Sequence, residues 1–340
     1  MFCKLIFVGR LIEPVYTNMA EQESDYYFDS YAHIGIHEDM LKDKIRTLSY
    51  RDAIYNNPSL FKDKVVLDVG CGTGILSMFA AEIGARKVYA IEKSDIVSYA
   101  RQIVNENGFS DVITIYQGTM EEIEIPEKVD VIISEWMGYA LLYESMLPSV
   151  ISARDRFMKN DGTMFPNSAR MFLTIIEDSD YRKSKIDFWD NVFGFDYQPI
   201  KQWALLEPLV DTVPEEKIVA DDCVIADFDL NKVKAKELVV DANFSLTAFK
   251  ESMVHAFVIW FDVAFDGPEQ RVTLSTSPYE PSTHWSQSIF YMETPQHVEV
   301  GTVINGHIEM KPNDKNVRDQ DFVITYTFDG KTYTQIFKMR

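Results

Sequence analysis

The chain has 340 residues, 46% of them hydrophobic, and a formal net charge of −20. Its length predicts about two domains with cores of their own, while its charge argues against direct nucleic-acid binding or an anionic membrane surface and suits basic protein partners. Three scattered cysteines (Cys3, Cys71, Cys223), no Cys-x-x-Cys pair and six dispersed histidines give no disulfide framework and no zinc site, and point to a reducing, intracellular compartment.

The first ten residues hold an apolar patch ended by Arg10, without the longer apolar core and small-residue cleavage site of a signal peptide. Residues 1–25 are read as a mobile extension, with Met19 as an alternative start of translation. Tyr26 to Leu48 is rich in aromatic and charged residues and turns helical in pattern from Glu38. This helix is expected to pack on the domain that follows.

Lys64 to Val69 is a β-branched strand running into Asp68-Val69-Gly70-Cys71-Gly72-Thr73-Gly74. Ile75 to Ile83 then has helical apolar spacing, and Arg86 to Ile91 is a second strand ending in Glu92. Strand, glycine turn, helix, strand and acid make a nucleotide-binding βαβ unit. The glycines let the backbone approach a ligand, and Glu92 is placed to accept ribose hydroxyls. A dinucleotide fingerprint needs a glycine where Ile75 stands. Glycines at 70, 72 and 74 suit S-adenosylmethionine, which has no pyrophosphate to cradle. Ile96 to Asn107 reads as a helix and Val112 to Gln117 as a third strand, followed by Gly118-Thr119-Met120-Glu121. There Glu121 can accept from an exocyclic amine, with Met120 against the adenine ring.

Val129 to Ser134 is the fourth strand, and Glu135-Trp136-Met137-Gly138-Tyr139-Ala140-Leu141-Leu142-Tyr143-Glu144 follows it. Glu135 thus lies just past the carboxyl end of a parallel strand, where open α/β sheets keep their ligand sites. Gly138 permits a sharp turn that brings Glu144 back near Glu135, and nothing in the loop supplies a cation to pair them. Two facing carboxylates suit a planar guanidinium with forked donors; the plainer reading is a solvated loop with two stray acids.

Met146 to Phe157 is helical, Gly162 to Phe165 is a last strand and Pro166 ends the pattern, so a boundary is expected near 166–169. From about 217 the chain becomes short alternating runs, closing with Phe322 to Phe328 and Lys331 to Phe337 joined by Asp329-Gly330, a hairpin signal. This is a β barrel or sandwich. Between 180 and 212 lies an aromatic insertion with Phe188, Trp189, Phe193, Phe195, Tyr197 and Trp203, either ordinary core or an arm that buries its rings on a second subunit. The longest apolar run, Ala256 to Phe265, is broken by Asp262 and too short to cross a bilayer.

Four elements in this order, Tyr27-Phe28-x-x-Tyr31, Val69 to Gly74, Ser134 to Glu144 and Thr283-His284-Trp285, resemble those of the type I protein arginine N-methyltransferases, nearest the family's principal asymmetric-dimethylating member. The resemblance runs from about Tyr26 to Arg340. It implies a Rossmann-like cofactor domain over 26–168 and a β-barrel substrate domain over 169–340, with a dimerisation arm near 180–212 that makes a head-to-tail homodimer or a higher oligomer. It implies His37, Arg46, Gly70, Gly72, Glu92, Met120 and Glu121 as the S-adenosylmethionine contacts, Arg46 reaching the methionine carboxylate. Met40, Met146 and Trp285 would flank the guanidinium; Glu135 and Glu144 would be the catalytic pair; Tyr31 and the His284–Asp43 pair would complete the site. It further implies Arg-Gly-rich and basic protein substrates such as histone tails and RNA-binding proteins, S-adenosylhomocysteine as co-product, no metal, and a cytoplasmic and nuclear location. Cys71 stands where a serine is often found, residues 1–18 match nothing in the family, and the segment from about 217 to 240 is more divergent.

The implied reaction brings a sulfonium and a guanidinium together, and two carboxylates offset that repulsion while holding the guanidinium in place. Glu144, His284 with Asp43, or water can take the proton that leaves. The readings set against this are a methyltransferase for another amine acceptor and an inactive binding protein of the same fold. A neutral amine does not call for two facing glutamates, and every key position carries a competent residue.

Overall fold

Val65–Val69 (β1) is buried at every position, as a strand inside a parallel sheet covered on both faces must be. The structure is a computed structural model describing residues 31–340. The expectations for residues 1–25, Tyr26, Tyr27 and Phe28 lie outside the described residues. Strand β1 is joined by β2 (Lys87–Glu92), β3 (Ile113–Gln117), β4 (Val129–Ile133) and β5 (Met158–Phe165) in the order β3-β2-β1-β4-β5, all parallel. The order reverses at β1, which has β2 on one side and β4 on the other. Loops leaving the carboxyl ends of β1 and β4 therefore open side by side, the position that binds ligands in such sheets.

Helix α1 (Ile34–Lys42) and helix α2 (Lys44–Tyr55) precede the sheet, followed by a single turn, α3 (Pro58–Phe61). The single helical pattern expected from Glu38 is two helices, and the break is Asp43. Its backbone is extended, with φ −67° and ψ 95°, and its side chain accepts from Arg46 N to cap α2. Helix α4 (Ile75–Glu82) follows β1, α5 (Val97–Glu106) follows β2 and α6 (Leu147–Phe157) lies between β4 and β5.

The chain leaves the parallel sheet at Phe165 and enters an antiparallel one at Ser168–Ile176 (β6). Strands β7 (Leu209–Asp211), β8 (Cys223–Asp229), β10 (Ser252–Asp266), β11 (Arg271–Ser275) and β12 (Gln287–Val298) complete that sheet. A second sheet orders β15 (Lys331–Met339), β14 (Gln320–Phe328), β13 (Val303–Pro312) and β9 (Val240–Thr247). Gln335 ties the two along one seam, accepting from Glu293 N at 2.9 Å and donating to Tyr291 O at 2.8 Å. The Asp329-Gly330 turn forms as expected, with φ 47° and 72°. Strands β6 and β8 were not legible as strands. The run His255 to Phe265, expected as an alternating strand, lies in β10 but shows little polar alternation, because successive residues enter two different cores. Phe257, Ile259 and Phe261 join the main core, while Ala256, Val258 and Trp260 join a second cluster.

That second cluster seats the aromatic insertion. The insertion runs through α7 (Ser179–Tyr181), two irregular helical turns (Arg182–Ile186, Asp187–Asp190) and α8 (Gln198–Leu206). Its inner residues Ile186 and Leu205 are buried in the cluster, and Arg182 donates to the carbonyls of Met292 and Glu293. Its outer rings stay in water: Phe193 is 96% exposed, Phe195 70% and Trp203 57%. The insertion is thus core at its base and uncovered aromatic surface at its tip.

Candidate active site

The residues named from sequence converge on a cavity of about 290 Å³ between the two domains, at the carboxyl ends of β1 and β4. Tyr31, His37, Met40, Arg46, Gly70, Gly72, Glu92, Met120, Glu121, Glu135, Glu144, Met146, His284 and Trp285 all line it; Asp43 stands behind His284.

One wall is the glycine turn. Gly70, Gly72 and Gly74 have φ 73°, 53° and 87°, values a side chain resists. A Cβ on Gly70 would also sit 2.3 Å from Met146 Cε, so the turn is kept bare on its cavity side. Glu92 closes it: Oε2 accepts from Gly72 N at 2.8 Å and Oε1 from Ser94 N at 2.7 Å. Each oxygen keeps lone-pair capacity for a ribose hydroxyl. Beneath the turn, burial pushes the Asp68 carboxyl up to about 7 while Ser77 Oγ–H donates to it at 2.6 Å. His37 Nε2–H donates to Tyr31 O at 2.7 Å, which leaves the imidazole edge facing Gly72. At the far end Met120 is buried, and Glu121 accepts from Ser149 Oγ at 2.7 Å. A bare glycine turn with an acid beyond it fits an adenosyl group without pyrophosphate. Replacing Glu92 by alanine is expected to weaken S-adenosylmethionine by about 1–3 kcal/mol, roughly 5- to 150-fold in Kd. Calorimetry checks this, and an unchanged Kd removes the ribose assignment.

The opposite wall is the loop from Ser134 to Glu144. Four of its neighbours fix it: Tyr50 Oη donates to Ser134 O at 2.9 Å, Ser134 Oγ to Val69 O at 2.7 Å, Trp285 Nε1 to Met137 O at 2.8 Å and Gln320 Nε2 to Leu142 O at 3.1 Å. Gly138 is required by close approach and not by turn geometry, since its Cβ would lie 2.0 Å from Tyr143 O. The left-handed residues are Ala140, Leu141, Glu144 and Ser145, with φ from 45° to 70°. Each such non-glycine residue costs about 1–3 kcal/mol. The loop is therefore a strained shape that its surroundings hold.

The strain brings the two carboxylates into one chamber in unlike company. Glu135 has a cationic partner that the loop itself does not contain. Arg46 Nε and Nη2 lie 3.0 and 2.9 Å from Glu135 Oε2, both side chains nearly buried. Glu135 Oε1 is outside that pair. Glu144 Oε2 accepts from Tyr31 Oη at 2.7 Å. Burial raises the Glu144 carboxyl above its ordinary range and Glu135 adds to this, while the Tyr31 hydrogen bond, Arg318 and His284 pull it down. If Glu144 must be ionised to hold a cation, activity falls on the acid side at a higher pH than an ordinary carboxylate would set. A kcat/KM profile reads this limb.

His284 and Asp43 form the expected pair across the domains. His284 Nδ1–H and backbone N–H both donate to Asp43 Oδ2, at 2.7 and 2.9 Å. Burial alone would raise the Asp43 carboxyl, but these bonds and the one from Arg46 N hold it below its usual value. Asp43 thus caps α2, which carries Arg46, and ties that helix to the barrel. Met40 Sδ lies 3.9 Å from Arg46 Nη2 and Met146 lies over Gly70, so two thioethers border the chamber. Arg318 and Gln320, which grip the loop from the barrel, had no sequence signal as site residues. Arg318 stands 174 positions from Glu144.

Comparisons with known proteins bear on the family and the fold. The family model described as a methyltransferase domain matches residues 60–204, and the one described as the arginine methyltransferase oligomerization subdomain matches 167–331. Protein arginine N-methyltransferase 1 of Schizosaccharomyces pombe is 54% identical over 308 residues, covering 90% of this chain and 91% of that one. Protein arginine N-methyltransferase 1 of Saccharomyces cerevisiae is 48% identical over 317 residues, covering 92% and 91%. The solved Trypanosoma brucei PRMT1 enzyme–prozyme heterotetrameric complex with AdoHcy superposes with a TM-score of 0.90 at 48% identity, covering 92% of this chain and all of that one. A cofactor domain with a bare glycine turn, a barrel carrying an oligomerization subdomain, and half-identical relatives along nine-tenths of its length place the chain in the protein arginine N-methyltransferase family, S-adenosylmethionine-dependent enzymes that methylate arginine side chains.

Proposed function

We propose that this enzyme makes monomethylarginine and then asymmetric dimethylarginine in Arg-Gly-rich and basic proteins, working as a homodimer through its aromatic arm in the cytoplasm and nucleus. The observation that carries this reading is the pair Glu135 and Glu144, two carboxylates in one chamber beside the glycine turn. S-adenosylmethionine supplies an electrophilic methyl group on a sulfonium. Glu92 and the turn would hold its ribose, with Glu121 and Met120 at the adenine, and Arg46 and His37 toward its amino-acid end.

Glu135 and Glu144 hydrogen-bond two guanidinium nitrogens and leave the third turned to the methyl donor. They draw positive charge onto the nitrogens they hold, which leaves the reacting nitrogen more electron-rich. Tyr31 fixes the direction of Glu144. Arg46 shares Glu135 with the arriving guanidinium, so a carboxylate elsewhere that draws Arg46 away frees Glu135 for substrate. The proton leaves to Glu144, to His284 backed by Asp43, or to water. Labelled methyl transfer to an Arg-Gly-rich peptide, and none to the same peptide with lysine for arginine, is the expected outcome; equal labelling of both would overturn the substrate class.

Asymmetric product follows from the chamber's edges. Met40 and Met146 are unbranched and polarizable, so they can yield to a first methyl on the reacting nitrogen while crowding the opposite nitrogen, whose approach the symmetric product would need. Met40→Phe is expected to shift the product mixture, read by mass spectrometry. An unchanged mixture would remove Met40 from the specificity argument.

A further inference from the structure

Glu144 is held in its left-handed backbone, φ 70°, mainly by a residue of the other domain. Glu144 N–H donates to Arg318 O at 2.9 Å, and Arg318 Nη1 donates back to Glu144 O at 2.7 Å. Two residues on, Gln320 Nε2 holds Leu142 O. The barrel thus grips the strained end of the loop at two points. A backbone that relaxed out of the left-handed region would swing the Glu144 Cβ, and with it the carboxylate, out of the chamber.

The segment that presents Arg318 is itself rigidly built. Asn313 Oδ1 accepts from Lys315 N at 2.9 Å and Asn316 N at 3.1 Å, and Asn316 Oδ1 accepts from Arg318 N at 3.1 Å. Asn316 Nδ2 bonds Asp319 at 3.1 Å and Asn313 Nδ2 bonds Asp321 at 2.7 Å. Arg340 then closes the outer side, 3.5 Å from Asp319 and 2.7 Å from Asp321. So much side-chain bonding in a seven-residue connection is a way to hold one geometry, and what that geometry delivers is the Arg318 guanidinium to the back of Glu144.

We propose that Arg318 is a positioning residue for methyl transfer: through its bond to the Glu144 carbonyl it locks the left-handed turn and lets the barrel set the aim of the catalytic carboxylate. The inference rests on the arginine-methylation reading of the same site. Arg318 also lines the chamber and is one of the groups whose charge reaches Glu144, with Glu135 and His284, themselves paired to Arg46 and Asp43, while Tyr31 acts on it through its hydrogen bond. Its cation favours the ionised carboxylate.

The test uses the full chain with Arg318→Ala and Arg318→Lys, S-adenosylmethionine and an Arg-Gly-rich peptide. Arg318→Ala is expected to lower kcat at least tenfold, to leave the cofactor Kd within about twofold, and to move the acid limb of the kcat profile to higher pH. Arg318→Lys, which keeps the charge and loses the planar fork, is expected to restore the acid limb while kcat stays low. A wild-type kcat and acid limb in Arg318→Ala would overturn the proposal. So would a loss of kcat matched by an equal loss of cofactor affinity and melting temperature, since that is general unfolding. Should Arg318→Ala not fold, Arg318→Lys alone decides: low kcat at native cofactor affinity supports the proposal, and native kcat overturns it. No transfer by the wild-type enzyme would remove the methylation reading itself, an outcome separate from any of these.

Discussion

Glu144→Gln and Glu135→Gln are each expected to lower kcat/KM on an Arg-Gly-rich peptide by about a thousandfold, with S-adenosylmethionine affinity within about twofold of wild type. The magnitude comes from charge. A guanidinium about 4 Å from a sulfonium, at an effective dielectric of about 20, is repelled by about 4 kcal/mol. Each carboxylate cancels a share of that and orients the guanidinium as well, and glutamine keeps the shape while it loses the charge. The two losses should differ in kind. Among the described residues the Glu144 carboxylate accepts from Tyr31 and forms no ion pair, so its replacement breaks no salt bridge. Glu135 is bonded to Arg46, and its replacement leaves a nearly buried cation with less to hold it. Some change in cofactor affinity is therefore more tolerable at Glu135 than at Glu144. Full activity in either variant, measured beside calorimetry for the cofactor, would end the clamp assignment.

The second large effect is on assembly. Phe193→Asp together with Trp203→Asp is expected to give a folded monomer with poor activity. Phe193 and Trp203 are 96% and 57% exposed, so neither supports the fold of the protomer. Their surface lies over a base that is well packed, with Ile186 and Leu205 buried and Lys201 bridging Asp187 and Asp190. A rigid stalk with wet aromatic rings at its tip is what a docking element looks like before it docks. Removing residues 186–205 outright is the blunter experiment, because it also takes away Ile186 and Leu205. Activity should suffer because α1 and α2 carry His37, Met40 and Arg46 and expose Ile34 (79%), Leu41 (41%) and Leu48 (39%) on their outer side. A second subunit that covers those side chains would steady the helices. Light scattering that still finds a dimer, with the protein folded, would show that the arm is not the interface.

The parts of this site that sequence made legible are those whose chemistry is local. The glycine turn is read from Gly70, Gly72 and Gly74 because a bare backbone needs glycine within a few residues of a strand end. Glu92 and Glu135 are read because each lies at or just past the carboxyl end of an apolar strand run. What could not be read depends on chain segments far apart in sequence. By residue pattern alone Asp43 is one more polar residue in a helix, and only the family resemblance pairs it with His284, 241 positions away; that it ends one helix and caps the next had no signal. The cation on Glu135 comes from Arg46, 89 positions earlier. Gly138 invited a turn by its type, but the turn is made by Ala140, Leu141, Glu144 and Ser145, whose left-handed backbones no propensity would assign. Strand β10 was legible as a run from His255 to Phe265, but not that its two faces are buried in different cores.

The central claim is that two carboxylates hold a protein guanidinium so that one nitrogen is methylated twice. Incubating the full chain with excess S-adenosylmethionine and a defined Arg-Gly-rich peptide, then separating the dimethyl isomers by neutral loss in tandem mass spectrometry, tests it directly. The account predicts monomethylarginine early and asymmetric dimethylarginine as the end product. Symmetric dimethylarginine alone, or arrest at the monomethyl stage after long incubation, would contradict it.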